Sequence, residues 1–194
     1  MGHDIRPMRL EELKDIYKRI EDDFASGEYP PYRVLYGQLE SDAQTGRILI
    51  ENGNEVAYSI CAEGGTKDFV LISLLAVYRE FRGRGFGTAF LEVLKDCYSD
   101  KKGVIVEVEK PEDAKTKEER DIRIKRIGFY EKAGFRLLPD IDYTIWDVPM
   151  HLMVLSAESP QNIINKEVSS AMHDIYLKLM GEQFIHKMVL EIKQ

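Results

Sequence analysis

Residues 74–94 read LLAVYREFRGRGFGTAFLEVL, with Gly83, Gly85 and Gly87 at alternate positions and Arg82 and Arg84 set among them. An apolar, strand-like run leads in and a helical pattern leads out. Glycine admits positive φ and lets a ligand approach the backbone closely. Successive N–H groups then face one concavity that holds an anion. A helix starting near Gly87 adds the positive end of its dipole, and Arg82 and Arg84 add charge at the rim. The chemistry this spacing suits is phosphate binding. Two familiar phosphate loops are absent, however. No glycine is followed by four spacers and Gly-Lys-Ser/Thr. The dinucleotide pattern G-x-G-x-x-G fails because Thr88 stands where its third glycine belongs.

Such a loop needs a strand and a helix to hold it, and a core beneath both. At 194 residues the chain can bury one full core, with room for an appendage. An apolar share of 44% and a charged share of 31% suit a soluble globular protein. The net charge of -7 argues against nucleic-acid binding through a broad basic surface and is compatible with amine substrates. Cys61 and Cys97 match no zinc spacing and make no disulfide framework, so both are expected as buried, reduced thiols in a reducing cytoplasm. No apolar run approaches the ~20 residues of a membrane span. The opening MGHDIRPM has no apolar signal core, and Arg6 breaks the myristoylation pattern. The expectation is a cytoplasmic protein with neither a membrane nor a nucleic-acid partner.

Periodicity places the elements. Asp4 to Met8 is a short strand candidate, and Leu10, Leu13, Ile16, Tyr17, Ile20 and Phe24 follow a helical stripe. Gly27, Pro30 and Pro31 break it, and a second short helix covers RVLYGQLES. Two β-rich runs flank Asn52-Gly53-Asn54 as a hairpin, and Asp68 to Val77 is a buried strand. After the glycines, Phe90, Leu91, Leu94 and Tyr98 form the inner face of a helix. KKGVIVEVEKP is another strand, and a charged helix then runs to its C-cap at Gly134. FRLL and MHLMVLSA are strands separated by a loop from Pro139 to Pro149. Val168, Ala171, Met172, Ile175 and Leu179 predict a helix ending at Gly181, and Phe184 to Ile192 is an apolar tail of open type. The class is α/β with a mixed sheet.

A third phosphate-loop pattern does fit: an apolar residue, four spacers, Arg or Gln, two spacers, Gly, one spacer, Gly or Ala. Here these are Val77, Arg82, Gly85 and Gly87. The pattern resembles the acetyl-coenzyme A loop of the GNAT superfamily, the Gcn5-related N-acetyltransferases. RIGFYEKAGFRLL resembles the family's second signature through Tyr130, Gly134 and Phe135. VIVEVEKP resembles the strand between the signatures, with Glu107 where many members carry a catalytic carboxylate. The N-terminal strand, helix and DDFASGEYPPY loop resemble the family's start, so the likeness spans about residues 4 to 156. It departs at Arg123, where many protein-acetylating members carry Asn. The resemblance implies a GNAT domain over 1–158, a mixed central sheet flanked by helices, and a C-terminal helical appendage over 159–194. That appendage would pack on the domain or on the partner of a homodimer.

The resemblance further implies acetyl transfer from acetyl-coenzyme A to an amine of a small molecule, peptide or protein. Arg82, Gly83, Arg84, Gly85, Phe86, Gly87 and Thr88 would hold the cofactor's phosphates. Backbone groups around Leu75, Ala76 and Val77 would meet the acetyl carbonyl and the pantetheine amides. An alkyl ammonium has a pKa of about 10, so a base must remove a proton at neutral pH. Glu107 and Glu109 share one strand face, and their proximity would raise at least one pKa. Glu107 is favoured as the base, with Glu109 and Glu28 as alternatives. By family position Tyr130 is the phenol that protonates the leaving thiolate. Tyr29, Tyr32 and the Ile141–Val148 loop, with Tyr143 and Trp146, would wall the acceptor site. Arg123 or Arg126 would reach a cofactor phosphate, or else line a solvated helix face. Neither signature contains a histidine, His151 is expected to be structural, and no metal is expected. Two rivals use the same residues: a non-catalytic acyl-coenzyme A sensor or interaction module, and a nucleotide-phosphate binder.

Overall fold

The computed structural model describes residues 4–156 and 160–193. The expected boundary between residues 158 and 159 therefore lies outside the described residues. Internal contacts divide the chain into two compact units. The first is Met1–Ala62 with Ile72–Cys97, and the second is Glu63–Leu71 with Tyr98–Gln194. Among the described residues no helix is long and apolar enough to cross a membrane.

In the first unit, β1 (Asp4–Pro7), β2 (Gln44–Glu51) and β3 (Asn54–Glu63) pair antiparallel, and the Ile72–Val77 part of β4 (Phe69–Val77) lies beside β3. The β2–β3 hairpin turns through Asn52 and Gly53, both at positive φ (49° and 78°), with Glu51 opposite Asn54. Two left-handed residues are what a two-residue hairpin turn requires, and Asn-Gly supplies them at little cost. Helix α1 (Leu13–Asp23) buries Leu13, Ile16 and Ile20, spaced along one face, and α2 (Tyr32–Glu40) buries Leu35. These side chains join Ile48, Tyr58, Ile60 and Leu74 in one core cluster. Helix α3 (Phe86–Cys97) buries Phe90, Leu91 and Leu94 as expected. Cys61 is buried, but Cys97 is not. It ends α3 off the inner face and is exposed, which corrects the expectation of two buried thiols.

The second unit holds β5 (Gly103–Glu109), α4 (Lys117–Lys132), β6 (Arg136–Leu137), β7 (Ile141–Ile145), β8 (Val148–Ser156), α5 (Gln161–Met180) and β9 (Met188–Ile192). Its strand order is β5-β8-β7-β9, all antiparallel, with β6 also on β8. The expected loop from Pro139 to Pro149 is in fact mostly strand. Pro139 has no N–H to give a ladder and splits the chain into β6 and β7. The β7–β8 turn is Trp146-Asp147, both at positive φ (50° and 65°). This turn carries neither glycine nor asparagine, so the usual hairpin signal is missing. The C-terminal extension is helical over α5, which ends at Gly181 with φ 74° as expected. The apolar tail after it resolves into a strand, β9, paired with β7 through Tyr143 opposite Leu190. The α/β class expected from periodicity is the class observed.

A buttress at the start of the first unit yields a stability test. Arg6 on β1 donates to both oxygens of Glu12 at 2.8 Å and also reaches Glu55 on β3. The hydrogen bond from Arg6 pulls the Glu12 carboxyl down from 4.5 to about 2. A depressed carboxyl stabilises the fold above its unfolded pKa, and that contribution fades as pH falls through the folded value. Glu12→Gln is therefore expected to lower Tm at pH 7, by a loss of about 1–2 kcal/mol. The deficit should hold down to pH 4.5 and then shrink toward pH 2 in a pH series of thermal melts.

Candidate functional site

The glycine loop forms where β4 ends. Along β4, Leu74, Ala76 and Tyr78 are buried while Leu75 and Val77 are half-buried, the alternation of a strand that faces two environments. A 3-10 turn at Arg79–Phe81 reverses the chain, and Phe81 meets Phe86 edge-on at 6.1 Å. Gly83 and Gly85 then adopt φ of 75° and 84°, and α3 begins at Phe86. A Cβ at either glycine would meet nothing within 4 Å, so both lie in open space. The left-handed φ, rather than crowding, demands glycine there. The first N–H groups of α3 have no partner within the helix and point toward this turn.

Arg82 and Arg84 differ. The Arg82 Nε donates to the Val77 carbonyl at 3.0 Å, and its guanidinium binds Asp23 at the end of α1. The Asp23 side chain is only 5% exposed, and Arg79 and the Tyr58 hydroxyl also approach it, at 3.7 and 3.5 Å. Arg82 is thus a brace across the base of the loop. The Arg84 guanidinium lies 5.6 Å from the centre of the Phe81 ring.

In the second unit the two strand carboxylates have different partners. Glu109 is bound by Arg123 at 3.0 Å and Arg126 at 2.8 Å, both from α4, and Arg123 also donates to the Lys110 carbonyl at 2.8 Å. Among the described residues Glu107 has no cation partner. Its Oε1 accepts from the Tyr143 hydroxyl of β7, and the Tyr176 hydroxyl of α5 lies 2.8 Å from Oε1 and 3.0 Å from Oε2. Tyr143 reaches it across β8, where Leu152 stands opposite Glu107. Burial pushes the Glu107 carboxyl up, and the two phenols pull against it. The expected source of the shift, proximity to Glu109, is therefore replaced by desolvation. Burial first, and then the charge of Glu107, pushes both phenols well above their ordinary value, so they remain donors at neutral pH.

Helix α4 ends at the second signature. The Gly134 N–H donates to the Glu131 carbonyl at 2.9 Å and the Phe135 N–H to the Tyr130 carbonyl at 3.0 Å, with Gly134 at φ 92°. The Tyr130 and Phe135 rings meet edge-on at 5.4 Å. This is a Schellman helix end with its hydrophobic contact, and it accounts for the spacing Tyr-x-x-x-Gly-Phe. A family model of the acetyltransferase (GNAT) domain matches residues 44–137, which contain both signatures.

Residues 44–137 of the chain are thus similar to a GNAT acetyltransferase domain. Solved structures share its fold. A Bacteroides thetaiotaomicron protein assigned to the GNAT family aligns with TM-score 0.74 and 19% identity, covering 92% of this chain and 98% of its own. AAC(6')-Ib, in complex with paromomycin and acetyl-CoA, aligns at 0.60 and 17%, covering 81% and 94%. The ribosomal-protein-S18-alanine N-acetyltransferase of Escherichia coli aligns at 0.57 and 21%, covering 81% and 96%. No curated protein matches the chain.

Several expected GNAT site residues sit in other settings. Tyr143 is 1% exposed and bound to Glu107, so it is no open acceptor wall, whereas Trp146 is 47% exposed at its turn. Tyr29 and Tyr32 stack edge-on against Tyr17 at 5.7 and 5.2 Å. Glu28 accepts from the Ala25 N–H at 3.4 Å within its loop. His151 bonds Glu112 at 3.1 Å, and burial lowers its pKa. Among the described residues, no three His, Cys, Asp or Glu side chains gather as a metal set. Two participants escaped the sequence. Asp23 looked like one more loop acid, and Tyr176 lies on a helix that no signature covers.

The brace predicts a ligand-free effect. Arg82→Ala strips the Asp23 carboxylate of its main donor, and a loss of about 1–3 kcal/mol is expected. It should appear as a lower urea midpoint for the isolated protein. A solvated rim charge would leave that midpoint within about 0.5 kcal/mol of wild type.

Proposed function

We propose that the chain is an N-acetyltransferase that takes its acetyl group from acetyl-CoA and passes it to an amine. The observation that carries this is the pair of left-handed glycines, Gly83 and Gly85, opening α3 inside the GNAT-matching segment. Two left-handed glycines in open space at a helix N-terminus would let a pyrophosphate reach the backbone N–H groups, and the helix dipole suits its charge. Relatives on the same fold include one described with acetyl-CoA and one that is an alanine N-acetyltransferase. Residues 82–88 would hold the phosphates, and the β4 backbone around Leu75–Val77 would meet the pantetheine arm. When bound, acetyl-CoA supplies a thioester that an amine can attack.

The protein's own residues then manage protons. Glu107 takes a proton from the ammonium, directly or through water, and so exposes the nitrogen lone pair. Its half-buried setting, with phenols rather than guanidinium groups beside it, raises the carboxyl pKa, as a base requires. Nitrogen bonds to the acetyl carbon, the carbon–sulfur bond breaks, the Tyr130 phenol passes its proton to the sulfur, and the second proton leaving the nitrogen restores the phenol. Glu109, committed to two guanidinium groups, is a poorer candidate. The acceptor belongs to the amine class, whether a small molecule, a peptide terminus or a lysine.

Coenzyme A is expected to raise Tm, and Gly85→Val, which forces a branched residue to a φ of 84°, should abolish the shift while far-UV circular dichroism stays unchanged. Indifference of the wild-type protein to millimolar coenzyme A would sink the proposal. With acetyl-CoA and a panel of amines, Tyr130→Phe should cut kcat by about 100- to 10,000-fold and leave cofactor affinity nearly unchanged. Binding without turnover of any amine would instead favour an acyl-CoA sensor.

A further inference from the structure

We propose that Tyr176, on the C-terminal helix outside the matched segment, is the positioning residue of the base: its single O–H, set between the two oxygens of the Glu107 carboxylate, fixes that carboxylate and leaves at least one lone pair of Oε2 free to take the proton. This rests on Glu107 acting as that base. An ionised carboxylate offers about four acceptor sites. Tyr143 and Tyr176 each bring one proton, Tyr143 to Oε1 and Tyr176 shared between Oε1 and Oε2. At least one lone pair of Oε2 therefore stays free. A hydroxyl seated in the fork of a carboxylate also prevents its rotation, so the free lone pair keeps one direction.

The helix that presents Tyr176 is pinned on both sides of it. The Asp174 carboxylate accepts from the Thr66 N–H at 3.2 Å, and the Lys178 ammonium donates to the Glu63 carbonyl at 3.2 Å. Val168, Met172 and Ile175 are buried along the same helix. A Cβ on Gly64 would lie 2.2 Å from the Asp174 carboxylate and would force it to shift. The phenol is thus carried on a fixed element.

Among the described residues no other ionised group competes at Glu107. On its own strand face the nearest acid is Glu109, already bound by Arg123 and Arg126 of α4. From β8, His151 stands opposite Val108 and so faces the other side of the sheet, where it bonds Glu112. From β7 and α5 come only the two phenols. Hydrogen bonds to the ionised form favour it, so each phenol offsets part of the cost of burial. A tyrosine parked there only to fill the core would lack this link to the carboxylate's titration.

The test uses the full chain with glutamate labelled at its side-chain 13C carboxyl, the Glu107 signal being identified by its loss in Glu107→Gln. Tyr176→Phe is expected to raise the Glu107 midpoint by about one pH unit. The acidic limb of kcat/KM should move by the same amount, and the rate should converge on wild type as pH rises. In the wild-type protein, the 13Cζ signal of Tyr176 should follow the Glu107 titration with the same midpoint, a check that needs no variant to fold. An unmoved midpoint in Tyr176→Phe, or a Tyr176 signal flat through that titration, overturns the proposal. If Glu107→Gln removes the acidic limb while Tyr176→Phe leaves it in place, Tyr176 alone has been misassigned. If Glu107→Gln keeps both rate and limb, the base assignment falls and this proposal falls with it.

Discussion

A carboxylate taken out of water must find its hydrogen bonds inside the protein, and where it finds them determines what it can do. Each unit of this chain poses the problem once. In the first, Asp23 closes α1 with a side chain 5% exposed and draws in Arg82, Arg79 and Tyr58. That demand clamps the end of β4 to the end of α1 and sets the base of the glycine loop. In the second, Glu107 draws in Tyr143 from β7 and Tyr176 from α5. Meeting that demand ties a hairpin strand and the C-terminal helix to β5.

The two solutions differ in charge, and the difference separates scaffold from chemistry. A guanidinium opposite a carboxylate favours the charged form whatever the pH near neutrality. Asp23 and Glu109 have such partners and act as counter-ions in the framework. A phenol donates a hydrogen bond but brings no charge. Burial then outweighs the two phenols at Glu107, and its carboxyl is pushed up. Glu107 combines a fixed position with a raised pKa, which is the pair of properties a general base needs.

Most of the frame was legible from local signals. Asn52-Gly53 announced its hairpin, Gly134 its helix end, and the apolar spacing Val168, Met172, Ile175 its helix. These features depend on neighbours in sequence, and local chemistry fixes them. The β7 strand was hidden because a Trp-Asp turn took the left-handed conformation without a turn residue, and Pro139 interrupted the pattern. β9 was hidden because a short apolar run has no period of its own and needs β7 to define it. The Glu107 cluster lay furthest from view. Its hydrogen bonds join positions 36 and 69 residues apart, and neither Tyr143 nor Tyr176 differs by type or spacing from a core aromatic.

The two signatures also carry a lesson about what a motif establishes. The spacing from Val77 to Arg82 is the spacing at which the Arg82 Nε reaches the Val77 carbonyl. The spacing from Tyr130 to Gly134 and Phe135 is that of a Schellman helix end. Both patterns therefore pay a folding requirement before any ligand arrives, and a sequence that satisfies them has shown chiefly that it folds this way. What folding leaves unexplained is the better guide to chemistry. Neither brace nor cap requires a second left-handed glycine opening onto empty space, yet Gly85 provides one at the start of α3. No packing rule requires a carboxylate on the inner face of β5 where an apolar residue would bury at lower cost, yet Glu107 stands there with two phenols to keep it. On the proposed function, these two departures from the simplest fold would be an anion seat and a base. They are the two parts that transfer of an acyl group from a phosphate-tailed thioester to an ammonium would call for.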